Sequence, residues 1–269
     1  MAGVSRLRKW VITVVGLAAG VLALLVWVPL WVVDALAAAF PAVVWKAETR
    51  EAEVAITFDD GPHPVYTPQV LDILKRHNAR ATFFVVGRNV RRYPELVERI
   101  RAEGHEIANH TDSRRTTVRM DTASFVRSLE AAEATLEAAQ ASDTPSDNGS
   151  PPNGSPPNTT TPNTSAPRIK LMRPAGGLIK PEQLAAARER GYTVVLGSAY
   201  GWDGRRAPPA AYMRWVISKN LRRGAIVVLH DSGGGGDRTI AALDGILAAG
   251  SRRGLKWVTL TELLDSNQP

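Results

Sequence analysis

The sequence predicts an α/β domain: a small barrel of parallel strands, complete or open at one seam, rather than an open doubly wound sheet. Three observations carry this. Short apolar segments alternate with helical ones along about seven repeats, and such alternation produces parallel strands joined by helical crossovers. No Gly-rich dinucleotide or phosphate loop follows the first strand. Polar and ionisable residues gather at the C-terminal ends of the predicted strands, the face on which α/β barrels carry their sites.

The chain begins with a basic tail, residues 1–9, containing Arg6, Arg8 and Lys9. A nearly unbroken apolar run follows from Trp10 to Val33. Roughly 20 such residues span a bilayer core of about 30 Å. Trp10 lies at one end and Trp27 and Trp31 near the other, as interfacial anchors do. The run exceeds the roughly 7–15 residues of a signal-peptide core, so we expect an uncleaved transmembrane signal-anchor helix over residues 10–33. Cleavage among the small residues of Asp34–Ala39 is the alternative. The basic residues all precede the run, which predicts a single-pass protein of the cell membrane, with its N-terminus cytoplasmic and the remainder exported. Residues 34–52, with Pro41 and Trp45, read as a connector.

The domain proper is expected over 53–265. Val54–Phe58 is a buried strand, and Tyr66–Asn78 carries helical spacing at Val70, Leu71 and Leu74. Ala81–Val86 is a strand ended by Gly87. Tyr93–Glu103 is a helix with Pro94 in its first turn and Gly104 beyond its end. His105–Ala108 is a short strand, and Asp121–Gln140 a long helix. From 141 to 167 the composition turns to Pro, Asn, Ser and Thr, with Asn-Gly-Ser-Pro-Pro repeated at Asn148 and Asn153. Such a stretch cannot bury a core, and it reads as a disordered insert on the face opposite the site. Then follow strand Ile169–Met172, helix Pro181–Arg190, strand Tyr192–Leu196 and a loop from Gly197 to Ala207. Helix Pro209–Leu221, strand Ala225–Leu229, helix Arg238–Arg253, strand Lys256–Thr259 and a turn at Glu262–Leu264 complete the order.

A chain of 269 residues with 44% hydrophobic content suffices for one full-sized domain plus attachments. The formal net charge is +7, but the basic residues are scattered, with no stripe interleaved with aromatics, so nucleic acid is not an expected partner. The absence of cysteine excludes disulfides, thiolate metal sites and a cysteine nucleophile. Any metal must be held by His, Asp or Glu.

Asp59 and Asp60, at the end of the first strand, admit two readings. Asp-Asp-Gly-Pro is a turn sequence. Alternatively, two adjacent carboxylates with a cation between them split into one metal ligand and one base. The other strand ends favour the second. The third strand delivers Asn109, His110, Thr111 and Asp112, the fourth Arg173, the fifth leads into Tyr200-Gly201-Trp202-Asp203, and the sixth delivers His230 and Asp231. His77 and His105 lie at the wrong ends, and His63, between two prolines, shapes a turn or rim.

The segments Thr57–Gly61, Gly104–Thr111, Arg173–Gly177 and Val228–Asp231 resemble, in order, the motifs of the polysaccharide deacetylases, the NodB-like family or carbohydrate esterase family 4. The resemblance runs from about Glu53 to Leu264 and breaks only at the insert. It implies a distorted (β/α)7 barrel, a divalent metal, most often zinc, and removal of N-acetyl groups from N-acetylglucosamine-containing glycan, peptidoglycan being one candidate. It implies Asp59 as general base, Arg173 orienting it, and His230 as the acid that protonates the leaving amine. It also implies Asp60 and His110 as metal ligands and Gly176 as the place of an oxyanion-binding N–H. Asp203 is expected to support His230, and Trp202 to contact a sugar ring or cap the barrel.

One position departs from the family pattern. A second ligand histidine belongs four residues after His110, where this chain has Arg114, which has no lone pair to donate. Either Asp112 becomes the third ligand, or the metal is held weakly, or Arg114's charge replaces it. The overall expectation is a metal-dependent, membrane-anchored glycan deacetylase. Its alternatives are a degenerate member that binds glycan without turnover, and an O-deacetylase.

Overall fold

The computed structural model describes residues 10, 28–141, 169–204 and 207–266. Its centre is β1 (Glu53–Asp59), in which every residue after Glu53 is buried, as in a parallel strand covered on both faces. Around it run β2 (Thr82–Val85), β3 (Glu106–Asn109), β4 (Lys170–Met172), β5 (Tyr192–Val194), β6 (Ala199–Tyr200), β7 (Ile226–His230) and β8 (Lys256–Val258). The strand order is β5-β4-β3-β2-β1-β7-β6, and every pairing is parallel. The second half of β1, Thr57–Asp59, pairs β2, while its first half, Glu53–Ala55, pairs β8 on that same edge. This splay curls the sheet into a partial barrel. Among the described residues β5 and β6 do not pair, so the expected barrel is open at one seam.

Nine helices of the described residues complete the order: α1 (Leu30–Ala39), α2 (Tyr66–Arg76), α3 (Gly87–Arg92), α4 (Pro94–Ala102), α5 (Thr122–Ala141), α6 (Pro181–Glu189), α7 (Ala210–Asn220), α8 (Gly236–Ser251) and α9 (Leu260–Asp265). The apolar faces of α2, α7 and α8 meet β1, β2 and β7 in one cluster containing Phe58, Phe83, Leu71, Ile217 and Leu247. Removal of such side chains from water is worth about 25 cal/mol per Å², and this packing holds the C-terminal strand ends in a fixed array.

Two expectations, the loop after β5 and the separate connector, are corrected. The segment after β5 was expected to be a loop, yet Ala199–Tyr200 pairs with Val227–Val228 as an additional strand. Gly87–Arg92, unassigned between the second strand and the helix at Pro94, forms α3. The connector is part of the fold: Val44 bridges Val195, its N–H donating to Val194 O at 2.8 Å, and Ala47 N–H donates to Gly224 O at 2.8 Å. Val43 and Ala47 are accordingly buried.

The expected span over 10–33 is described only at residue 10 and from residue 28 on; residues 11–27 lie outside the described residues. Val33 is not a boundary, because the small apolar residues beyond it continue α1 to Ala39. Val33 is buried, Asp34 pairs with Lys46 at 2.8 Å and Arg222 at 3.2 Å, and Asn220 Nδ2 donates to Val28 O at 2.7 Å. These contacts tie α1 to the barrel. Among the described residues no helix is long and apolar enough to cross a membrane. The insert expected over 141–167 lies almost wholly outside the described residues, after the end of α5 at Ala141.

Candidate active site

Register brings the predicted residues together. Asp59, the last residue of β1, is paired across the ladder with His230, the last residue of β7. Beyond β2, β3 and β4 end at Asn109 and Met172, which pair with each other, so His110 and Arg173 emerge side by side. A strand alternates its side chains between two faces. Asp60 breaks that alternation with φ of +74°, leaving the strand just before the cis Gly61–Pro62 bond. Two adjacent carboxylates can then take different partners.

Asp59 is buried and accepts a hydrogen bond on Oδ1 from Arg173 Nη1 at 2.6 Å. Arg173, also buried, is used on every side. Nη1 donates to Thr57 Oγ1 at 2.7 Å, Nη2 to Leu196 O at 2.6 Å and Nε to Val195 O at 3.3 Å, while the guanidinium lies 4.1 Å from the Phe84 ring centroid. A buried charge is tolerated when it is paired and its donors are satisfied. This arrangement fixes the Asp59 carboxylate and leaves its Oδ2 without a hydrogen-bond partner among the described residues.

His230 is oriented by Asp203. Asp203 is almost fully buried; its Oδ1 accepts from His230 Nδ1 at 2.9 Å and its Oδ2 from His230 N–H at 2.6 Å. Thr239 Oγ1 donates to the same Oδ2 at 2.6 Å. Burial by itself lowers the imidazole pKa, but the Asp203 carboxylate, with smaller contributions from Asp59 and Asp60, outweighs it and lifts His230 to about 9. The ring therefore carries its proton at neutral pH, with Nδ1 committed to Asp203 and Nε2 free to donate.

The third group is Asp60, His110 and Arg114. His110 Nδ1 lies 2.9 Å from Arg173 O, and a carbonyl only accepts, so Nδ1 carries the hydrogen and Nε2 faces Asp60. That is how a metal-ligating histidine is oriented. His110 Nε2 stands 3.6 Å from Asp60 Oδ1. Asp60 Oδ2, however, is 2.7 Å from Arg114 Nη2. Among the described residues no three His, Cys, Asp or Glu side chains are placed to hold a metal. Zinc sites use at least three protein ligands. The donor set of Asp60, His110 and a guanidinium that stays protonated does not fit the expected zinc.

Asp112 does not join Asp60 and His110. It points to the far side of its loop, where Arg91 Nη1 meets Oδ1 at 2.7 Å and Arg91 Nη2 meets Oδ2 at 3.1 Å. Its N–H is fixed by Ser128 Oγ at 3.0 Å, and its carboxylate lies over Gly87, where a Cβ would come within 2.5 Å of Oδ1. Gly176 sits in the exposed turn after β4 with φ of +80°, packed against Thr116. It is not among the residues bordering the cavity beside His230. Trp202 is 44% exposed, so it does not cap the barrel; its indole stands beside Tyr200 with the ring centroids 5.9 Å apart.

That cavity, of ≈ 490 Å³, is bordered by Asp60, Arg88, Arg114, His230 and the Ser232–Gly234 loop. It has room for a sugar ring with its acetamido group. His63 shapes the turn as expected, its Nδ1 accepting from Val65 N–H at 3.2 Å.

Four contributors were given no role from the sequence. Thr57 bridges Arg173 to Val227 O, and Thr239 completes the Asp203 cluster. Gly233 abuts Arg114. Asp231 is fully buried behind Asp60, accepts from Thr67 Oγ1, and is pushed by burial up to about 7. Only Asp231 had a sequence signal, its place beside His230. The others act through distant partners that spacing does not reveal.

Comparison with known proteins bears on this arrangement. Residues 46–166 match the family model described as polysaccharide deacetylase. The chain is 36% identical over 224 residues to a peptidoglycan-N-acetylglucosamine deacetylase of Bacillus cereus, covering 82% of this chain and 92% of that protein. It superposes on the solved Bc1960 peptidoglycan N-acetylglucosamine deacetylase with a TM-score of 0.69 and 29% identity, over 83% of this chain and 93% of that one. It superposes on a family 4 acetyl xylan esterase of Clostridium thermocellum, solved with a cobalt ion, with a TM-score of 0.63 and 30% identity, over 79% and 90% of the two chains.

Proposed function

Because this chain belongs to the polysaccharide deacetylase family, we propose that it hydrolyses N-acetyl groups on N-acetylglucosamine-containing polysaccharide of the cell envelope, peptidoglycan being the favoured polymer. It is a carbohydrate deacetylase acting on non-peptide carbon–nitrogen bonds. The observation that carries the mechanism is the pairing in register of Asp59, held by Arg173, with His230, held by Asp203. An amide resists hydrolysis for two reasons: water is a weak nucleophile, and an amine is a poor leaving group. The two pairs address one difficulty each.

In the proposed reaction a water oxygen attacks the acetyl carbonyl carbon while Asp59 Oδ2 takes the proton. Arg173 holds Asp59 in place as the base. The tetrahedral intermediate collapses by breaking the carbon–nitrogen bond, and the electron pair goes to nitrogen. His230 Nε2 delivers its proton to that nitrogen, giving acetate and the free amino sugar. A positioned carboxylate base beside an acid kept protonated is the division of labour this chemistry needs. Attachment to the membrane through the apolar run of residues 10–33, with the barrel outside the cell, belongs to the same proposal. It rests on the run's length and the basic residues before it, and recovery of the full chain in a soluble fraction overturns it.

The test is acetate release by the full chain from an N-acetylglucosamine oligomer and from peptidoglycan, with Asp59→Ala abolishing it. A second reading, glycan binding without turnover, is favoured by the Arg114–Asp60 ion pair. Retained glycan affinity with no acetate released selects that reading. Faster release from O-acetylated xylan than from either amide substrate makes the protein an esterase.

A further inference from the structure

We propose that Arg114 is the resident cation of this site and stands where a divalent metal would otherwise sit. Its chemistry rests on the hydrolase reading above; its test does not.

Two adjacent carboxylates require compensating charge. Here each has its own guanidinium: Arg173 at 2.6 Å from Asp59 and Arg114 at 2.7 Å from Asp60. With both pairs formed, the charge that a metal would balance is already balanced. A divalent ion bound to Asp60 and His110 would lie beside a guanidinium that cannot shed its proton. Like charges at that distance oppose each other, so the resident cation excludes the incoming one.

The site is also shaped around the Arg114 head. Gly233, with φ of +78°, faces it from the loop after β7. A Cβ there would stand 3.0 Å from Arg114 Nη2, tighter than ordinary packing, and 3.6 Å from Nη1, an ordinary contact. A residue without a side chain makes room for the guanidinium between Asp60 and the loop. The same guanidinium borders the cavity with His230. Its remaining N–H groups are available to an acetyl carbonyl oxygen there, and they polarise it as preorganised donors do.

The experiment is Co(II) titration of the full chain in detergent, followed by visible absorption and calorimetry, with Asp60→Asn, Arg114→His and the double variant in parallel. We expect no difference between the wild-type protein and Asp60→Asn. Arg114→His should bind one equivalent with tetrahedral absorption bands, lost in the double variant. One equivalent bound by the wild-type protein and lost in Asp60→Asn overturns the proposal. So does a folded Arg114→His variant that takes up no Co(II), because position 114 would then not be what excludes the metal. The wild-type comparison decides the matter even if Arg114→His does not fold. Absence of acetate release counts against the proposed function and leaves this titration unaffected.

Discussion

Asp203→Asn separates the acid from its support with little change in shape. Asp203 is almost fully buried and lifts His230 from an ordinary 6.5 to about 9. Converted at 1.36 kcal/mol per unit, that difference stabilises the folded protein by about 3 kcal/mol. The folded pKa is raised, so the stabilisation is fully present below pH 6.5 and is lost as pH rises through 9. In the variant the burial that lowers the pKa remains while the carboxylate that contributes most to raising it is gone, leaving only the smaller contributions of Asp59 and Asp60, so His230 should fall back to about 6.5 or below. At pH 7.5 wild-type His230 is almost wholly protonated, whereas the variant should retain its proton in about one molecule in ten. The assay is acetate release across pH 5–10, read as kcat/KM, with thermal unfolding over the same range. The basic limb should move from near pH 9 to 6.5 or lower, with about a tenfold loss at pH 7.5 that recovers toward pH 6. The unfolding difference should be largest below pH 6.5 and shrink toward pH 9. A uniformly lower rate with the basic limb unmoved refutes the reasoning, because Asp203 would then position the ring without setting its protonation.

Arg173→Ala leaves Asp59 buried without its partner and two carbonyls without their donor, and should cost about 3–5 kcal/mol in urea unfolding; a loss below 1 kcal/mol would mean that water replaces the guanidinium. Asp231→Asn should raise Tm most at pH 8, less at pH 5, and leave it nearly unchanged at pH 3. The Asp231 pKa is raised by burial from 3.8 to about 7, so the wild-type protein loses stability as pH rises from 3.8 to 7, and the loss levels off above that. An equal shift at all three pH values would count against a charge effect. Gly233→Ala should cost about 1–2 kcal/mol for its left-handed backbone, and by crowding Arg114 should raise KM; an unchanged KM would argue that the Arg114 head does not depend on that loop.

Much of the fold was legible because its signals are local. Val54–Phe58 and Ala225–Leu229 are continuous apolar runs, and they became the buried strands β1 and β7. Pro94 and Gly104 bracket a helix by steric rules that operate within a few residues. Ala199–Tyr200 was missed because two residues have no periodicity, and only the exposed edge of β7 makes them a strand. The role of Val44 and Ala47 was missed for a similar reason: their partners, Val195 and Gly224, lie about 150 or more residues away and across the seam.

The candidate site divides along the same line. Its two proton-handling groups, Asp59 and His230, sit at the ends of strands that the sequence orders unambiguously, so strand register alone brings them together. The arginine at position 114 is equally plain in the sequence, and it cannot be a ligand anywhere. What the sequence left open was where the side chains of the loop after β3 would turn. Thr111 adopts φ of +66°, Asp112 is drawn back to Arg91 over Gly87, and Arg114 reaches forward to Asp60 against Gly233. Each direction is set by charges and space contributed from other elements. Residue types and strand order are written locally, whereas the choice between the Asp112 carboxylate and the Arg114 guanidinium for one place beside Asp60 is made only when the elements pack.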